Sequence, residues 1–429
     1  MNTSESHLGA QSLATSKETA AKPAGSLFRN RHVQAILTSN LLLQLGIWVR
    51  NFAILLYVTD ITHNNPGYVS LISVAEYAPI FIFSFIGGTF ADRWRPKRTM
   101  VGCDLLSALS VFAVLFTLLF GSWQMIFFVT LVSAILSQFS MPSAMKLLKR
   151  HVPQEQLLQP AMAMFQTLVG IFMVIGPAVG TYVYQSFGIH VSIAVMGFMF
   201  LLSALTLSFL PKDEAPADAG GAAANPSFVH ELQEGFRYVF ERKVLRTLGG
   251  TFALAGLAVG LTQPLMVFVA TNNLGMDKSF LQWSLMASGA AMLVGGGLVF
   301  GLTKKIPAPI LLALGLLVSA VCNAGIGWSA SIPLTFVFQV LNGLFYSCIQ
   351  TGINTMFLQN TEESFVGRVN GVMIPMFMGM MVLGMSVAGA LMNSLSLLTV
   401  YVIGGVLFLA GALLLVPLFQ TGSAAPSEE

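Results

Sequence analysis

The sequence predicts an all-α membrane protein with twelve transmembrane helices in two six-helix bundles, related by a pseudo-twofold along the membrane normal. Three observations carry this. Only 9% of the 429 residues are charged, 55% are hydrophobic and the mean hydropathy is +0.76, whereas about a quarter of an ordinary soluble domain is charged. Apolar runs of about 20 residues, the length a helix needs to cross a bilayer core of about 30 Å, recur along the chain. A single offset of 209 residues lays the later runs on the earlier ones.

Breaking the apolar runs at Pro, Gly and charge clusters gives spans near 33–58, 67–91, 99–121, 123–147, 157–184, 188–210, 245–271, 280–302, 307–328, 332–357, 367–392 and 396–419. The expected organisation is a disordered cytoplasmic tail over 1–28, a six-helix bundle over 29–211, a linker over 212–244, a second bundle over 245–420 and a tail over 421–429. The first 28 residues are rich in Ser, Ala and Lys and have no apolar core of the signal-peptide kind. Every Lys and Arg except Arg50 and Lys278 falls on the side of the N-terminus. The positive-inside rule therefore puts both termini in the cytoplasm.

The linker begins with a flexible Ala/Gly/Pro/Asp stretch over 213–226. Phe228, Leu232, Phe236 and Val239 then fall on one helical stripe with charges opposite. That pattern fits a helix lying at the membrane surface, or equally one packed against the end of the bundle.

The offset of 209 residues maps Gly87, Gly88, Gly170 and Gly180 onto Gly296, Gly297, Gly379 and Gly389, and Ser122 onto Ser331. Each half then holds an even number of spans, so the two share one orientation.

Several function classes are excluded at this level. A net charge of +3, scattered along the chain, is no nucleic-acid footprint. The six histidines are dispersed without an HExxH pair, and Cys103, Cys322 and Cys348 lie in apolar runs without metal-ligand spacing. No P-loop is present. Neither an enzyme nor a metal, nucleotide or other cofactor is expected.

Between spans two and three lies Gly87-Gly88-Thr89-Phe90-Ala91-Asp92-Arg93-Trp94-Arg95-Pro96-Lys97-Arg98. Gly88, Asp92, Arg93, Lys97 and Arg98 match the loop signature G-x-x-x-D-R-x-G-R-K/R-K/R, so the chain resembles the major facilitator superfamily. Arg95 and Pro96 depart from the pattern. Together with Cys103-Asp104-Leu105-Leu106-Ser107-Ala108 and Met141-Pro142-Ser143-Ala144, these departures resemble the branch that includes macrolide efflux proteins and the enterobactin exporter. The resemblance implies a secondary active exporter in a bacterial cytoplasmic membrane, a drug:proton antiporter working by alternating access. It also implies that the loop is a latch stabilising the outward-facing state. Gly88 would allow close helix approach, Asp92 would accept hydrogen bonds and the basic residues would hold a short turn. Asp104, under about two helical turns beyond Arg98, is placed to join them. In the second half Gly301 and Leu302 stand where Asp92 and Arg93 stand in the first, so only Lys304 and Lys305 of that latch remain.

Charge inside a bilayer is costly, which singles out Arg50 and Glu76. Both are expected about 14 Å below the outer surface on adjacent antiparallel helices, close enough to form a buried ion pair. Glu76 could exchange a proton under the control of Arg50, the two could form a static bridge, or one could meet a charged group on the substrate.

Asn40, Gln44, Trp48 and Asn51 fall within an arc of about 80° on span one, a face turned to a central cavity. Gln339, Asn342, Tyr346, Gln350 and Asn354 form a second stripe on span ten, with Gln166 on span five and Gln263 on span seven. Interhelical hydrogen bonding is the other use for such residues. A neutral wall of amides, aromatic rings and some of the 22 Met residues suits bulky amphipathic cargo, drug-like, lipid-like or siderophore-like, better than a small charged nutrient. Gly176, Pro177 and Gly180 on span five resemble the antiporter motif G-x-x-x-G-P-x-x-G, with Phe172 in place of its first glycine. The expected partners are an amphipathic small molecule, protons and the lipid bilayer, with no nucleic acid, and the expected state is a monomer. The alternatives are a lysophospholipid translocator and a receptor or scaffold that has kept the fold without transport.

Overall fold

The computed structural model describes residues 30–84, 95–152, 157–211, 228–303 and 305–421. All regular structure among them is helical. The main helices are α1 (Arg31–Ile61), α2 (Pro66–Ser84), α3 (Pro96–Leu119), α4 (Met125–His151), α5 (Leu158–Ser208), α6 (Phe228–Glu241), α7 (Lys243–Thr262), α8 (Leu281–Leu302), α9 (Ala308–Trp328), α10 (Ile332–Gln359), α11 (Val366–Ser394) and α12 (Leu397–Leu414). Among the described residues, ten helices are long and apolar enough to cross a membrane.

Local chemistry sets the helix ends. Asn30 caps α1 by accepting from the His32 amide at 3.0 Å, while its own amide donates to the His151 carbonyl at 3.1 Å and ties α1 to the end of α4. Pro96 opens α3, where a missing N–H costs nothing. Ser396 caps α12 by accepting from Thr399 N at 3.1 Å. The 51-residue α5 is broken at Gly188, whose φ of 75° and ψ of −177° favour glycine, so its two legs are separate rods.

The outer surface of the bundle is apolar. Phe116, Leu119 and Phe120 at the end of α3 are 63%, 67% and 72% exposed, which water would not tolerate in a patch and lipid does. Inside, Val58, Val111, Ile126, Ile193 and Phe200 join α1, α3, α4 and the second leg of α5. Leu245, Leu312, Ile353, Met373 and Phe408 do the same for α7 and α9 to α12. A third cluster spans both halves of the chain, with Phe52 and Val69 packed among Leu261, Phe268, Ala388 and Tyr401. Helix α2 lies against α11, and α5 against α8.

Helix α6 packs on the bundle end. Tyr238 and Val239 are buried, the Tyr238 ring stacks on Phe365 at 4.3 Å, and Glu234 pairs with Arg368 at 3.4 Å. Of the apolar stripe read from the sequence, Leu232 packs inward while Phe236 is exposed.

Candidate functional site

Midway along α1 and α2, three polar side chains meet. Arg50 Nε donates to Asn51 Oδ1 at 2.8 Å, and Asn51 Nδ2 donates to Glu76 Oε1 at 2.6 Å. Arg50 is 4% exposed and its Nη1 is buried without a hydrogen-bond partner. The direct Arg50–Glu76 ion pair expected from the sequence is therefore replaced by a relay through the Asn51 amide. An amide suits this place because it accepts from the guanidinium on one side and donates to the carboxylate on the other. Periodicity alone places Asn51 on the face of Asn40 and Gln44; the structure gives it this second task.

Next to Glu76 along α2, the Tyr77 hydroxyl accepts from Nε2 of Gln263, the residue that caps the C-terminus of α7, at 3.1 Å, a hydrogen bond that joins the two halves of the chain. On α10, Gln350 Nε2 donates to the Tyr346 hydroxyl at 2.9 Å. Tyr346, Gln350 and Asn354 line a cavity of about 320 Å³ whose other walls include Phe252, Met373 and Phe377. Asn40 and Gln44 line a different cavity, of about 220 Å³, among α1, α3, α4 and α5. Parts of the two polar stripes thus face two separate cavities. Gln339 is buried against Met266, with its amide 3.9 Å from the sulfur. Asn342 is half-buried and Gln166 exposed, and neither lines those cavities.

Trp48 packs on Phe52 and against α5. A methyl group on Gly176 would overlap its indole, and one on Gly180 would come within 2.7 Å of the Trp48 carbonyl oxygen and of Phe52 Cβ. Gly176, Pro177 and Gly180 are all buried. The motif residues thus let α5 close on α1. The contact of α5 with α8 runs through other residues, with Gly289 against the Met173 carbonyl and Gly170 against Leu293.

Of the loop signature, Gly88, Asp92 and Arg93 lie outside the described residues, as does Lys304 of the second-half remnant. Lys97 Nζ donates to the carbonyls of Ser208, at 2.9 Å, and Leu210, capping the end of α5. Arg98 sits one residue further along α3. Asp104, expected beside these cations, is turned into the bundle instead: it is 2% exposed and Ser203 Oγ donates to its Oδ2 at 2.6 Å. The Ser39 hydroxyl lies 2.7 Å from Ser203 Oγ and completes a chain of three buried groups. Eight residues into α3, Asp104 is about 12 Å along the helix from Pro96.

The opposite end of the molecule carries a contact that the sequence reading missed. Asp60, at the end of α1, forms an ion pair with Lys278 in the short connection before α8. Tyr184 Oη donates to the same carboxylate at 2.9 Å. Burial lowers the Lys278 ammonium from the ordinary lysine value. The available signal was that the spans read from the sequence leave Lys278 as the lone basic residue opposite the N-terminal side.

A bundle of long apolar helices with polar groups and cavities along its interior defines a multi-pass membrane protein built to pass solutes. Residues 36–268 and 248–429 match the model of the Major Facilitator Superfamily, and the chain belongs to that family of transporters. It is 23% identical to the MFS-type transporter YkuC of Bacillus subtilis, over 82% of this chain and 83% of that one. It is 24% identical to the multidrug efflux pump Tap of Mycobacterium tuberculosis, over 78% and 80% of the two chains. With the macrolide efflux protein A of Streptococcus pyogenes the identity is 26%, over 75% and 79%. Among solved structures, a POT family transporter in complex with 5-aminolevulinic acid has a TM-score of 0.71 at 13% identity, covering 92% of this chain and 97% of its own. The nucleoside transporter NupG has a TM-score of 0.71 at 14% identity, covering 91% and 100%. These two likenesses concern the fold alone.

Proposed function

We propose that this transporter exports bulky amphipathic small molecules by alternating access in exchange for protons, with Glu76 as the exchanging carboxyl and Arg50 acting on it through Asn51. The observation that carries the reading is the relay of 2.8 and 2.6 Å from Arg50 to Glu76 beside the Tyr77–Gln263 hydrogen bond between the halves. Burial favours a neutral acid and a nearby guanidinium favours the carboxylate, so a small change in either switches the proton on or off. A group whose neighbours sit on the moving interface feels such a change in each cycle.

The cargo class rests on the cavity walls. Phe252, Phe377, Met373 and Met378 surround the Tyr346–Gln350 pair, giving adaptable apolar surface with few fixed donors. The efflux relatives, themselves a multidrug pump and a macrolide efflux protein, agree with this class. Dividing α5 at Gly188 and adding the 22-residue α8 to the ten apolar helices gives twelve crossings, in bundles over 29–211 and 245–420 related by a pseudo-twofold. Both termini then face the cytoplasm of a bacterial cell, and each monomer is a complete pathway. The loop from Gly88 through Asp92 and Arg93 to Lys97 and Arg98 would latch that side in the outward-facing state.

The test is transport in proteoliposomes with an imposed pH gradient. Wild-type protein should move a fluorescent amphiphile faster when protons flow the other way, and Glu76→Gln should abolish that acceleration while downhill movement persists. Full acceleration in the variant would remove Glu76 from the mechanism. Movement indifferent to pH in wild type, with lysophospholipid as the preferred cargo, would favour a lipid translocator.

A further inference from the structure

The cavity of about 220 Å³ in the first half holds a carboxylate that the relay does not use. Asp104 lines it together with Asn40, Gln44 and Ser107. Asp104 is 2% exposed, has no ion-pair partner among the described residues, and receives its hydrogen bond there from Ser203 alone. Asn40 supplies a second and independent sign of a missing occupant: it is 6% exposed, yet its Nδ2 has no hydrogen-bond partner. A buried amide donor and a buried carboxylate are each costly when unmatched. The two line one cavity from different helices, α1 and α3.

We propose that this cavity is a binding subsite for an organic ammonium group, with Asp104 as the counter-charge and Asn40 as donor to an oxygen carried close to that nitrogen. Resting on the export reading above, it narrows the cargo to cationic amphiphiles. The carboxylate calls for a cation, and the described residues supply none. Ser203 already donates to Oδ2, and the Ser39 hydroxyl backs Ser203, so the acid is held in place with lone pairs left for a ligand. At about 220 Å³ the space is smaller than the roughly 300–1,000 Å³ of a site for a whole drug-sized molecule, so it takes the polar head. Ile47, Met141, Phe165 and Phe200 complete the wall with apolar surface for the adjoining carbons.

The probes are dansylcadaverine, a primary ammonium at neutral pH, and its N-acetyl derivative, which has the same ring and chain without the charge. Titrated by fluorescence anisotropy against protein in dodecyl maltoside, wild type should bind the ammonium at least tenfold more tightly than the acetylated probe. Asp104→Asn, which still accepts from Ser203, should bring that ratio to about one with the acetylated affinity held within twofold. Glu241→Gln, which removes an equal charge from the exposed end of α6, should keep the wild-type ratio. An unchanged ratio in Asp104→Asn, or equal loss of both probes in a variant with a wild-type melting profile, overturns the proposal.

A second measurement needs no substitution. Dicyclohexylcarbodiimide labelling of Asp104, read by peptide mass spectrometry, should be blocked by dansylcadaverine and not by the acetylated probe; equal labelling with both overturns the proposal. Displacement of the probe by added phosphatidylethanolamine would reassign the site to a lipid amine and overturn the cargo assignment. Asp104-dependent ammonium binding in a protein that exports nothing keeps the site and removes the export reading. Gradient-driven export without ammonium preference does the reverse.

Discussion

Lys278 reaches Asp60 across the two halves of the chain, and the Tyr184 hydroxyl donates to the same carboxylate at 2.9 Å. The surrounding contacts close this end of the molecule. A methyl group on Gly389 of α11 would come within 2.7 Å of Gly67 Cα at the start of α2. Phe52 and Val69 are buried there against Phe268 and Ala388. For a transporter that opens alternately to each side, this ion pair must break before the end opens. Asp60→Lys sets two cations against each other, disfavours this closed state and should lower the transport rate where re-closing limits the cycle. The exchange Asp60→Lys with Lys278→Asp should restore most of it, measured as initial rates in proteoliposomes. Because the Asp60 side chain is 49% exposed, the coupling energy from the double-mutant cycle should be about 0.2–1 kcal/mol.

Asn51 should matter to stability as well as to transport. Replacing it with Ala leaves the buried Arg50 Nε without its acceptor and Glu76 without its donor. A loss of about 1–3 kcal/mol is expected from the stranded groups, read as a lower melting temperature in detergent. Combined with Glu76→Gln, the loss should be less than additive, since the two changes act on one network.

The long apolar helices and the two intramembrane charges were legible because each follows from one-dimensional chemistry: hydropathy, run length and the cost of a charge in lipid. The relay was not. Periodicity places Asn51 on the Asn40 face but says nothing about the rotamer that turns its amide toward Glu76. Asp104 was misplaced for a related reason, because helix rise fixes its distance from Arg98 and leaves open which neighbour it faces; Ser203 lies 99 positions away. The Asp60–Lys278 pair joins residues whose approach is produced only by assembly of the halves. Its one sequence trace was a lysine on the side that the spans read from the sequence leave otherwise empty of them.

Gly176 of the antiporter-like motif and Gly297 of the duplicated pattern should separate sharply on substitution. Gly176→Ala puts a methyl group into the Trp48 indole and should cost about 1–3 kcal/mol, the usual range for overpacking. Gly297→Ala has nothing within 4 Å of the new carbon and should stabilise α8 by about 0.5–1 kcal/mol through helix propensity. Thermal unfolding of the two variants side by side checks both signs.

The Tyr77–Gln263 hydrogen bond should bias the balance between transport states. It joins α2 to the C-terminal cap of α7 at 3.1 Å, while Gln263 is otherwise exposed, so water can satisfy the amide once the tyrosine oxygen is gone. Tyr77→Phe should then change global stability by less than about 1 kcal/mol. The bond belongs to the state described, however, and its loss removes up to about 1 kcal/mol from that state alone, raising the opposite state up to about fivefold. Ser70 reports on this. It is 3% exposed on α2, near the end closed by Asp60 and Lys278. A cysteine introduced as Ser70→Cys should react slowly with an impermeant maleimide, over a low background from the buried Cys103, Cys322 and Cys348. Adding Tyr77→Phe should speed that labelling several-fold with an unchanged melting temperature; equal labelling rates would show that the bond does not distinguish the states.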